Sequence, residues 1–208
     1  MGKFNLERPQ LCLITDPEIP NLLERIDEAL AAGITMLQLR GHQLSLDQFS
    51  QLAQILGPRC QRHGVAFIVN DRLDVGLAVH ADGFQLSIRS LPLAKARHLV
   101  GEDALLGMSI HSLEEAEEAI TNGADFLLAG TIFASTHHPE GPEKGPALIH
   151  AIKHALPQSR LLAIGGITPT NAQLVMEAGA DGVAVISAIL KATNIAQSVQ
   201  ELRNAIGL

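Results

Sequence analysis

The stretch LLAIGGITPTNAQLVMEAGADGVAVISAIL, residues 161–190, contains the pattern that decides the fold. Two short apolar runs, LLAIG (161–165) and GVAVI (182–186), stand on either side of a segment with helical spacing of its apolar residues. Apolar runs without alternation are typical of strands that are buried on both faces of a parallel sheet. The stretch therefore predicts a strand, a helix and a second parallel strand.

The same pattern recurs along the whole chain. The predicted strands are LCLIT (11–15), TMLQL (35–39), AFIV (66–69), GFQL (83–86), ALLGM (104–108), DFLLA (125–129), LLAIG (161–165) and GVAVI (182–186). A weak repeat, seen in EALAAGITML (28–37), EAITNGADFLL (118–128) and VMEAGADGVAV (175–185), places a glycine between each helix and the next strand. Glycine is favoured there because it adopts the left-handed conformation that ends many helices.

Eight such units without a linker predict one domain over residues 1–208, a single (β/α)8 TIM barrel. The alternative is an open doubly wound sheet. The count of eight, and polar residues after nearly every strand, favour the barrel, since its active-site loops form a ring at the carboxyl ends of the strands.

Composition excludes several classes of function. The 208 residues carry a formal net charge of -7, which argues against a nucleic-acid partner or an anionic membrane surface. No apolar stretch approaches the roughly 20 residues that span a bilayer. Of the two cysteines, Cys12 lies inside an apolar run, which indicates a reduced, buried thiol. We therefore expect a cytoplasmic protein without a membrane partner.

A phosphate site is predicted after the last two strands. Gly165 and Gly166 follow one strand, and Ile186 and Ser187 lead directly from the next strand into a helix. Glycines allow backbone N–H groups to approach a phosphate, and a helix N-terminus favours negative charge. The alternative for the glycine pair is a tight turn without a ligand.

Polar residues after the second and third strands form a further candidate group. Gln38 and Arg40 alternate along a strand and so share one face. An inward arginine needs either a structural ion pair or an anion. In Asn70, Asp71 and Arg72, the carboxylate of Asp71 suits either Mg²⁺, through water, or an ion pair with Arg72.

Histidines supply the candidates for proton transfer. Ser109 and His111 stand at the end of the fifth predicted strand, where His111 is either structural or functional, and Ser112 with Glu115 predicts a helix capping box. The segment GTIFASTHHPEGPEKG (130–145) follows the sixth strand and places His137 and His138 at the predicted catalytic mouth.

These motifs together resemble the thiamin phosphate synthase/TenI family. The resemblance runs in order through LCLITD, MLQLR, VNDRLDVGLAVHADGFQL, LGMSIHSLEEA, GADFLLAGTIF and AIGGITPTNAQLVMEAGADGVAVISAIL, from about residue 11 to residue 190. It implies a (β/α)8 barrel, a homodimer, and thiazole phosphate or thiamin phosphate as the small-molecule ligand. The phosphate would lie against Gly166, Ile186 and Ser187, and the implied substrate contacts are Gln38, Arg40, Asn70, Asp71, Arg72, Ser109 and Ser135.

The family resemblance implies two activities, and the sequence departs from the pattern of one of them. A synthase joins a pyrimidine diphosphate to thiazole phosphate with Mg²⁺, whereas a TenI-type isomerase changes the thiazole tautomer without a metal. Here Gly41 and His42 replace Glu-Lys, and Ser90 replaces the aspartate that completes the Mg²⁺ site. After the sixth strand, Ser135, His137 and His138 stand where a synthase has Thr, Thr and Lys.

These losses remove groups that stabilise a departing diphosphate, so the sequence favours the tautomerase. Thr131 stands where the known TenI histidine would be, which leaves His138, His137 or His111 as the general base. No cofactor is expected for this reaction. A synthase, with Asp71 as the Mg²⁺ ligand, and a barrel that only binds the thiazole or thiamin phosphate are the alternatives.

Overall fold

The computed structural model describes residues 9–135 and 142–208, which form a closed barrel of eight parallel strands. Each strand pairs with the next along the chain, and the eighth pairs with the first, Gln10 opposite Gly182. This closure confirms the TIM barrel and excludes the open sheet. The strands are β1 (Gln10–Ile14), β2 (Met36–Leu39), β3 (Ala66–Asn70), β4 (Gly83–Leu86), β5 (Leu105–Ile110), β6 (Phe126–Ala129), β7 (Leu161–Ile164) and β8 (Gly182–Val185).

Helices follow every strand and cover the outside of the barrel. They are α1 (Leu22–Ala32), α2 (Leu46–His63), α3 (Leu73–Ala78), α4 (Leu93–Val100), α5 (Leu113–Thr121), α6 (Gly145–Ala155), α7 (Ala172–Glu177), α8 (Ser187–Leu190) and α9 (Ile195–Ala205). The single turn of α8 follows β8, and α9 then packs against α1 to complete the ring of helices. No described helix combines the length and the apolar composition needed to cross a membrane.

Alternation along the strands separates two cores. One set of side chains fills the interior of the barrel, and its buried members are Cys12, Ile14, Met36, Ala66, Ile68, Leu105, Phe126, Leu128, Leu162 and Ala184. The opposite set packs against the helices in a larger cluster. Because apolar side chains fill the interior, the barrel is solid below its mouth, as is usual for eight strands.

Three aspartates that each precede a strand have the same structural role. Asp82, Asp125 and Asp181 each precede a strand, and each accepts the N–H of a residue near the start of the strand before it. The carboxylate of Asp125 also pairs with Arg97, and that of Asp181 pairs with Lys153 at 3.0 Å. These carboxylates therefore tie neighbouring units together at the end of the barrel opposite the candidate site.

Both cysteines are free and buried. Burial raises the pKa of the Cys12 thiol, and that of Cys60, from 9.0 to about 12. Removal from water disfavours a thiolate, so both groups are neutral at ordinary pH.

Candidate functional site

A cavity of about 1100 Å³ opens at the carboxyl ends of the strands. Its walls come from the end of β1 and from the loops after the other seven strands, as the fold predicts for an active site. The structure brings together most of the residues predicted from the sequence: the cavity is lined by Gln38, Arg40, Asn70, Asp71, Ser109, His111, Ser135, Gly165, Gly166, Ile186 and Ser187.

A chain of hydrogen bonds lies along the wall formed by β2, β3 and the loop after β4. The amide of Gln38 donates to Asn70 Oδ1 at 2.9 Å, and Asn70 Nδ2 donates to Asp71 Oδ2 at 2.6 Å. The Ser90 hydroxyl donates to the other oxygen, Asp71 Oδ1. The carboxylate is thus held on both oxygens by neutral donors, and it faces the cavity. Within residues 9–135 and 142–208 it makes no ion pair.

The backbone of Asp71 is in the left-handed region, with φ at 59°. This conformation costs a non-glycine residue about 1 kcal/mol, and such residues concentrate at functional sites. The Asp71 N–H still bonds to the Gln85 carbonyl at 3.1 Å, which extends the pairing of β3 with β4. The position of the carboxylate is therefore fixed from the main chain as well as from its side chain.

Arg72 does not join this group, so its role as a substrate contact, which the resemblance implies, stays a prediction. Its guanidinium binds Asp74 through Nε, at 2.9 Å, and through Nη2, and Arg72 is not among the residues that line the cavity. The chain turns at Asp71 and begins α3 at Leu73, which directs the two neighbouring side chains to different surroundings. The predicted alternative, an ion pair of Arg72 with Asp71, is also absent from the described residues.

Arg40 projects into the cavity from the end of β2. Thr15 holds its main chain in two ways, since the Thr15 Oγ1 accepts the Arg40 N–H at 2.9 Å and donates to the Arg40 carbonyl at 2.8 Å. Its Nε donates to His42 Nε2 at 3.2 Å, and within the described residues Arg40 makes no ion pair with a carboxylate. Of the two predicted alternatives, the geometry leaves this cation available to an anion.

His42, which the sequence singled out only as a replacement, also lines the cavity. His42 and Arg40 separate this cavity from a second, smaller cavity of about 330 Å³, which lies beside the loops after β1 and β2, and both side chains line both cavities. Sequence reasoning missed this pairing because it depends on the turn that begins at Gly41, whose carbonyl accepts the Leu44 N–H at 3.1 Å.

The glycine pair after β7 is required by close packing. Both residues have positive φ, 98° at Gly165 and 61° at Gly166. A Cβ at Gly166 would lie 2.3 Å from the Ala134 carbonyl oxygen, and one at Gly165 would lie 2.5 Å from Thr131 Cγ2. The glycines thus permit the loop after β6 to rest on the loop after β7. The structure establishes the turn, and both glycines face the cavity.

Asn171 fixes the same loop and was missed at the level of sequence. Its Oδ1 accepts the Thr168 N–H at 2.8 Å, and its Nδ2 donates to the Gly166 carbonyl at 2.9 Å. Thr168 and Pro169 have the residue types that often start a helix, but α7 begins only at Ala172. An asparagine five residues after a Gly-Gly turn is the signal that would have indicated this side-chain-to-backbone bridge.

His111 lies at the rim, with its side chain 59% exposed. The Glu115 carboxylate accepts the His111 backbone N–H at 2.6 Å and lies 3.2 Å from the ring Nδ1. Ser112 caps α5 as predicted, by accepting the Glu115 N–H at 3.2 Å. However, the Glu115 carboxylate accepts the backbone N–H of His111 rather than that of Ser112, so the predicted capping box is shifted by one residue. The same carboxylate also orients the His111 imidazole.

Two of the predicted catalytic residues, His137 and His138, lie outside the described residues. The neighbouring Ser135 is described, and it lines the cavity. No group of three or more His, Cys, Asp or Glu side chains within the described ranges is placed to hold a metal ion. Among the described residues that line the cavity, Asp71 is the only carboxylate.

Comparisons with known proteins agree with the fold. The family described as thiamine monophosphate synthase matches residues 11–189. A thiamine-phosphate synthase from Syntrophomonas wolfei is 38% identical over 197 residues, which cover 93% of this chain and 94% of that protein. Another, from Synechococcus sp., is 39% identical over 210 residues and covers 96% of this chain, which spans only 58% of that relative's length. A solved structure, thiamine phosphate pyrophosphorylase from Pyrococcus furiosus, is 34% identical with a TM-score of 0.89 and covers 97% of each chain.

Proposed function

We propose that this chain, which belongs to the thiamine monophosphate synthase family, joins a pyrimidine diphosphate to thiazole phosphate and so makes thiamin phosphate. A new bond forms between the pyrimidine's methylene carbon and the thiazole nitrogen, and the bond from that carbon to the diphosphate breaks. The observation that carries the proposal is a single cavity with room and chemistry for two substrates at once.

The cavity is large for a small-molecule site. Its volume of about 1100 Å³ lies just above the usual range of about 300–1000 Å³, which leaves space for a thiazole phosphate beside a pyrimidine diphosphate. Its two sides also differ. Gly165, Gly166 and Ser187 form a side of backbone and hydroxyl groups that suits a phosphate, and Gln38, Asn70 and Asp71 form the polar network opposite.

Apolar side chains separate the two sides. Ile14, Leu128, Ile164 and Ala184 form the base of the cavity, above the filled interior of the barrel. Such a surface accepts flat, weakly polar rings and excludes water from between them. Two rings resting on this base, with one phosphate group held at each side, would be brought into the proximity that bond formation requires.

The donor set fits a Mg²⁺ ion that shares its coordination with a diphosphate. Mg²⁺ usually keeps several waters and binds one or two carboxylates together with substrate phosphates. Asp71 would be the protein ligand, and Ser90 and Asn70 orient its two oxygens. When bound, the ion would offset negative charge on the diphosphate as it leaves.

The protein's own contribution to diphosphate departure comes from Arg40. This guanidinium faces the cavity, lacks a carboxylate partner among the described residues, and is oriented by His42 and by the clamp of Thr15 on its main chain. A cation held in advance where negative charge develops lowers the barrier without reorganisation during the reaction. This arrangement partly compensates for the Glu-Lys pair that Gly41 and His42 replace.

Tautomerisation of thiazole phosphate, which the sequence favours, is the second candidate. It draws support from His111, which lines the cavity and has a carboxylate at its Nδ1. A histidine oriented by a carboxylate is suited to proton transfer near neutral pH. The names of the relatives favour the synthase, however, and those relatives match nearly the whole of this chain.

One assay separates the candidates. Purified protein is incubated with the pyrimidine diphosphate, thiazole phosphate and Mg²⁺, and thiamin phosphate is measured by fluorescence after oxidation. We expect turnover that depends on Mg²⁺ and on Arg40, with Arg40→Met at least about a hundredfold slower. Arg59→Met is the matched control, since Arg59 lies on α2 and pairs with Asp27 outside the cavity.

The alternatives give different results in the same samples. Metal-independent interconversion of the thiazole tautomers, followed by NMR in the absence of synthesis, would support the isomerase and overturn the proposal. If neither reaction proceeds while thiamin phosphate still raises the melting temperature, the protein is a binding barrel.

A further inference from the structure

Gln85 is a buried polar side chain inside a barrel whose interior is filled mainly by apolar side chains. It lies in β4 between Phe84 and Leu86 and is only 1% exposed. Phe84 points outward, since its ring fills the space that a Cβ on Gly76 of α3 would need. Alternation along the strand therefore directs Gln85 into the barrel, below the cavity and not among its lining residues.

The orientation of the Gln85 amide is determined by its neighbours. Its Nε2 donates to the Ser109 Oγ at 3.0 Å and lies 3.3 Å from the Leu86 carbonyl oxygen. A carbonyl oxygen only accepts, so the opposite orientation would set Oε1 against the Leu86 oxygen. The N–H therefore faces Ser109, and Ser109 must act as the acceptor in this bond.

This polarity has a consequence for the cavity. A serine hydroxyl has one proton, and because Ser109 accepts from Gln85, that proton remains to be donated elsewhere. Ser109 lines the cavity, whereas Gln85 does not. The hydroxyl proton is thus directed toward an acceptor on whatever the cavity binds.

The surroundings of Gln85 Oε1 indicate that a contribution to stability is not the reason for a glutamine at this position. Gln85 Oε1 is buried and has no hydrogen-bond partner among the described residues. It lies over Gly107, where an added Cβ would come within 2.3 Å of it. An unpaired buried acceptor destabilises the folded state, and a hydrocarbon side chain of similar length would avoid that cost.

We propose that Gln85 is a positioning residue, which holds the Ser109 hydroxyl as a donor to a ring nitrogen or phosphate oxygen of the bound substrate. It acts through Ser109 and does not itself touch the ligand. The inference rests on the proposed use of this cavity, but not on which reaction takes place there.

The test uses binding, so that it stands even if the transferase assay fails. Affinities of thiamin phosphate and of thiazole phosphate are measured by calorimetry for the wild type, Gln85→Met, Ser109→Ala and the double variant, together with their melting temperatures. Loss of one hydrogen bond predicts about tenfold weaker binding for either single variant. The double variant should be no weaker than Ser109→Ala, because both changes remove the same contact.

Stability separates positioning from a structural role. We expect Gln85→Met to melt at or above the wild-type temperature although it binds more weakly. Gln10→Met is the matched control, since Gln10 is equally buried but lies at the opposite end of the barrel, and its affinity should not change. If both ligands bind more weakly, the acceptor of the Ser109 proton lies on the thiazole phosphate part. Weakening toward thiamin phosphate alone would place it on the pyrimidine.

Three results would overturn the inference: Gln85→Met binding as tightly as the wild type, additive losses in the double variant, or a Gln85→Met melting temperature well below that of the wild type. Gln85→Leu provides a second reading if the methionine variant does not fold. Like methionine, leucine has no N–H to donate to Ser109, so we expect it to weaken binding as well. Unchanged affinity in that variant would also contradict the inference.

Discussion

Replacing Gly166 with alanine tests the contact that shapes the phosphate side of the cavity. At this position an alanine would meet two separate obstacles. Its φ of 61° lies in the left-handed region, and its Cβ would lie 2.3 Å from the Ala134 carbonyl oxygen and 2.9 Å from Phe133 Cβ. The nearest obstructing atom, the Ala134 carbonyl oxygen, belongs to the backbone, and the backbone cannot rotate aside as a long side chain can.

The two costs can be worked out separately because the chain contains a matched glycine. Gly64, at the end of α2, has φ at 64° but no atom within 4 Å of an added Cβ. Gly64→Ala should therefore cost only the conformational term, about 1 kcal/mol. Gly166→Ala adds a clash of the kind that overpacking produces, about 1–3 kcal/mol, for a total of about 2–4 kcal/mol.

The assay is urea unfolding of the wild type and the two variants, with free energies of unfolding from linear extrapolation. Calorimetry with thiazole phosphate then reports on the site. We expect Gly166→Ala to be the less stable variant by at least about 1 kcal/mol and to bind about tenfold more weakly. Gly64→Ala should bind normally. Equal losses of stability in the two variants would refute the described packing between the loops after β6 and β7.

Three further predictions concern charges and thiols. Asp71→Asn should fold normally, because asparagine tolerates the left-handed backbone. Its turnover should fall at least about a hundredfold in the synthase assay. Undiminished turnover would exclude this carboxylate as the metal ligand. Asp125→Ala should lose about 1–3 kcal/mol in urea unfolding, because it leaves the Leu106 N–H unpaired and removes the ion-pair partner of Arg97, which keeps its bonds to main-chain carbonyls. The control Asp74→Ala, at an exposed pair, should lose less than about 1 kcal/mol. Similar losses in the two variants would contradict the structural role of Asp125. Cys12 and Cys60 should resist alkylation of the native protein at pH 8, and rapid labelling would show that the thiols are accessible. The free energy of unfolding should fall as pH rises from about 9 toward 12, because in that range the unfolded thiols have released protons that the folded ones keep.

Sequence patterns predicted the barrel well because its determinants are local. Each strand is an apolar run bounded by polar residues, and the observed strands differ from the predicted ones by one or two residues at their ends. Helix starts were predicted less accurately. Thr168 and Pro169 look like a helix start, but Asn171 bridges back to the Gly166 carbonyl and delays α7 to Ala172.

The composition of the site was predicted, but its pairings were not. Residues at the ends of strands reach the mouth of a barrel in any sequence of this kind, which is why Gln38, Asn70 and Asp71 were found. Pairings depend on backbone angles that the residue types do not specify. The left-handed turn at Asp71 sends Arg72 to Asp74, and the buried Gln85, inside an apolar run, gave no sign of its bond to Ser109.

If the cavity joins two substrates and releases diphosphate, both products can be followed by ³¹P NMR of one reaction mixture that contains the protein, the pyrimidine diphosphate, thiazole phosphate and Mg²⁺. We predict that the organic diphosphate signals decline while inorganic diphosphate and thiamin phosphate appear in equal amounts, and that neither forms when thiazole phosphate is omitted. Organic diphosphate that persists unchanged, while the thiazole phosphate tautomers interconvert, would contradict the account.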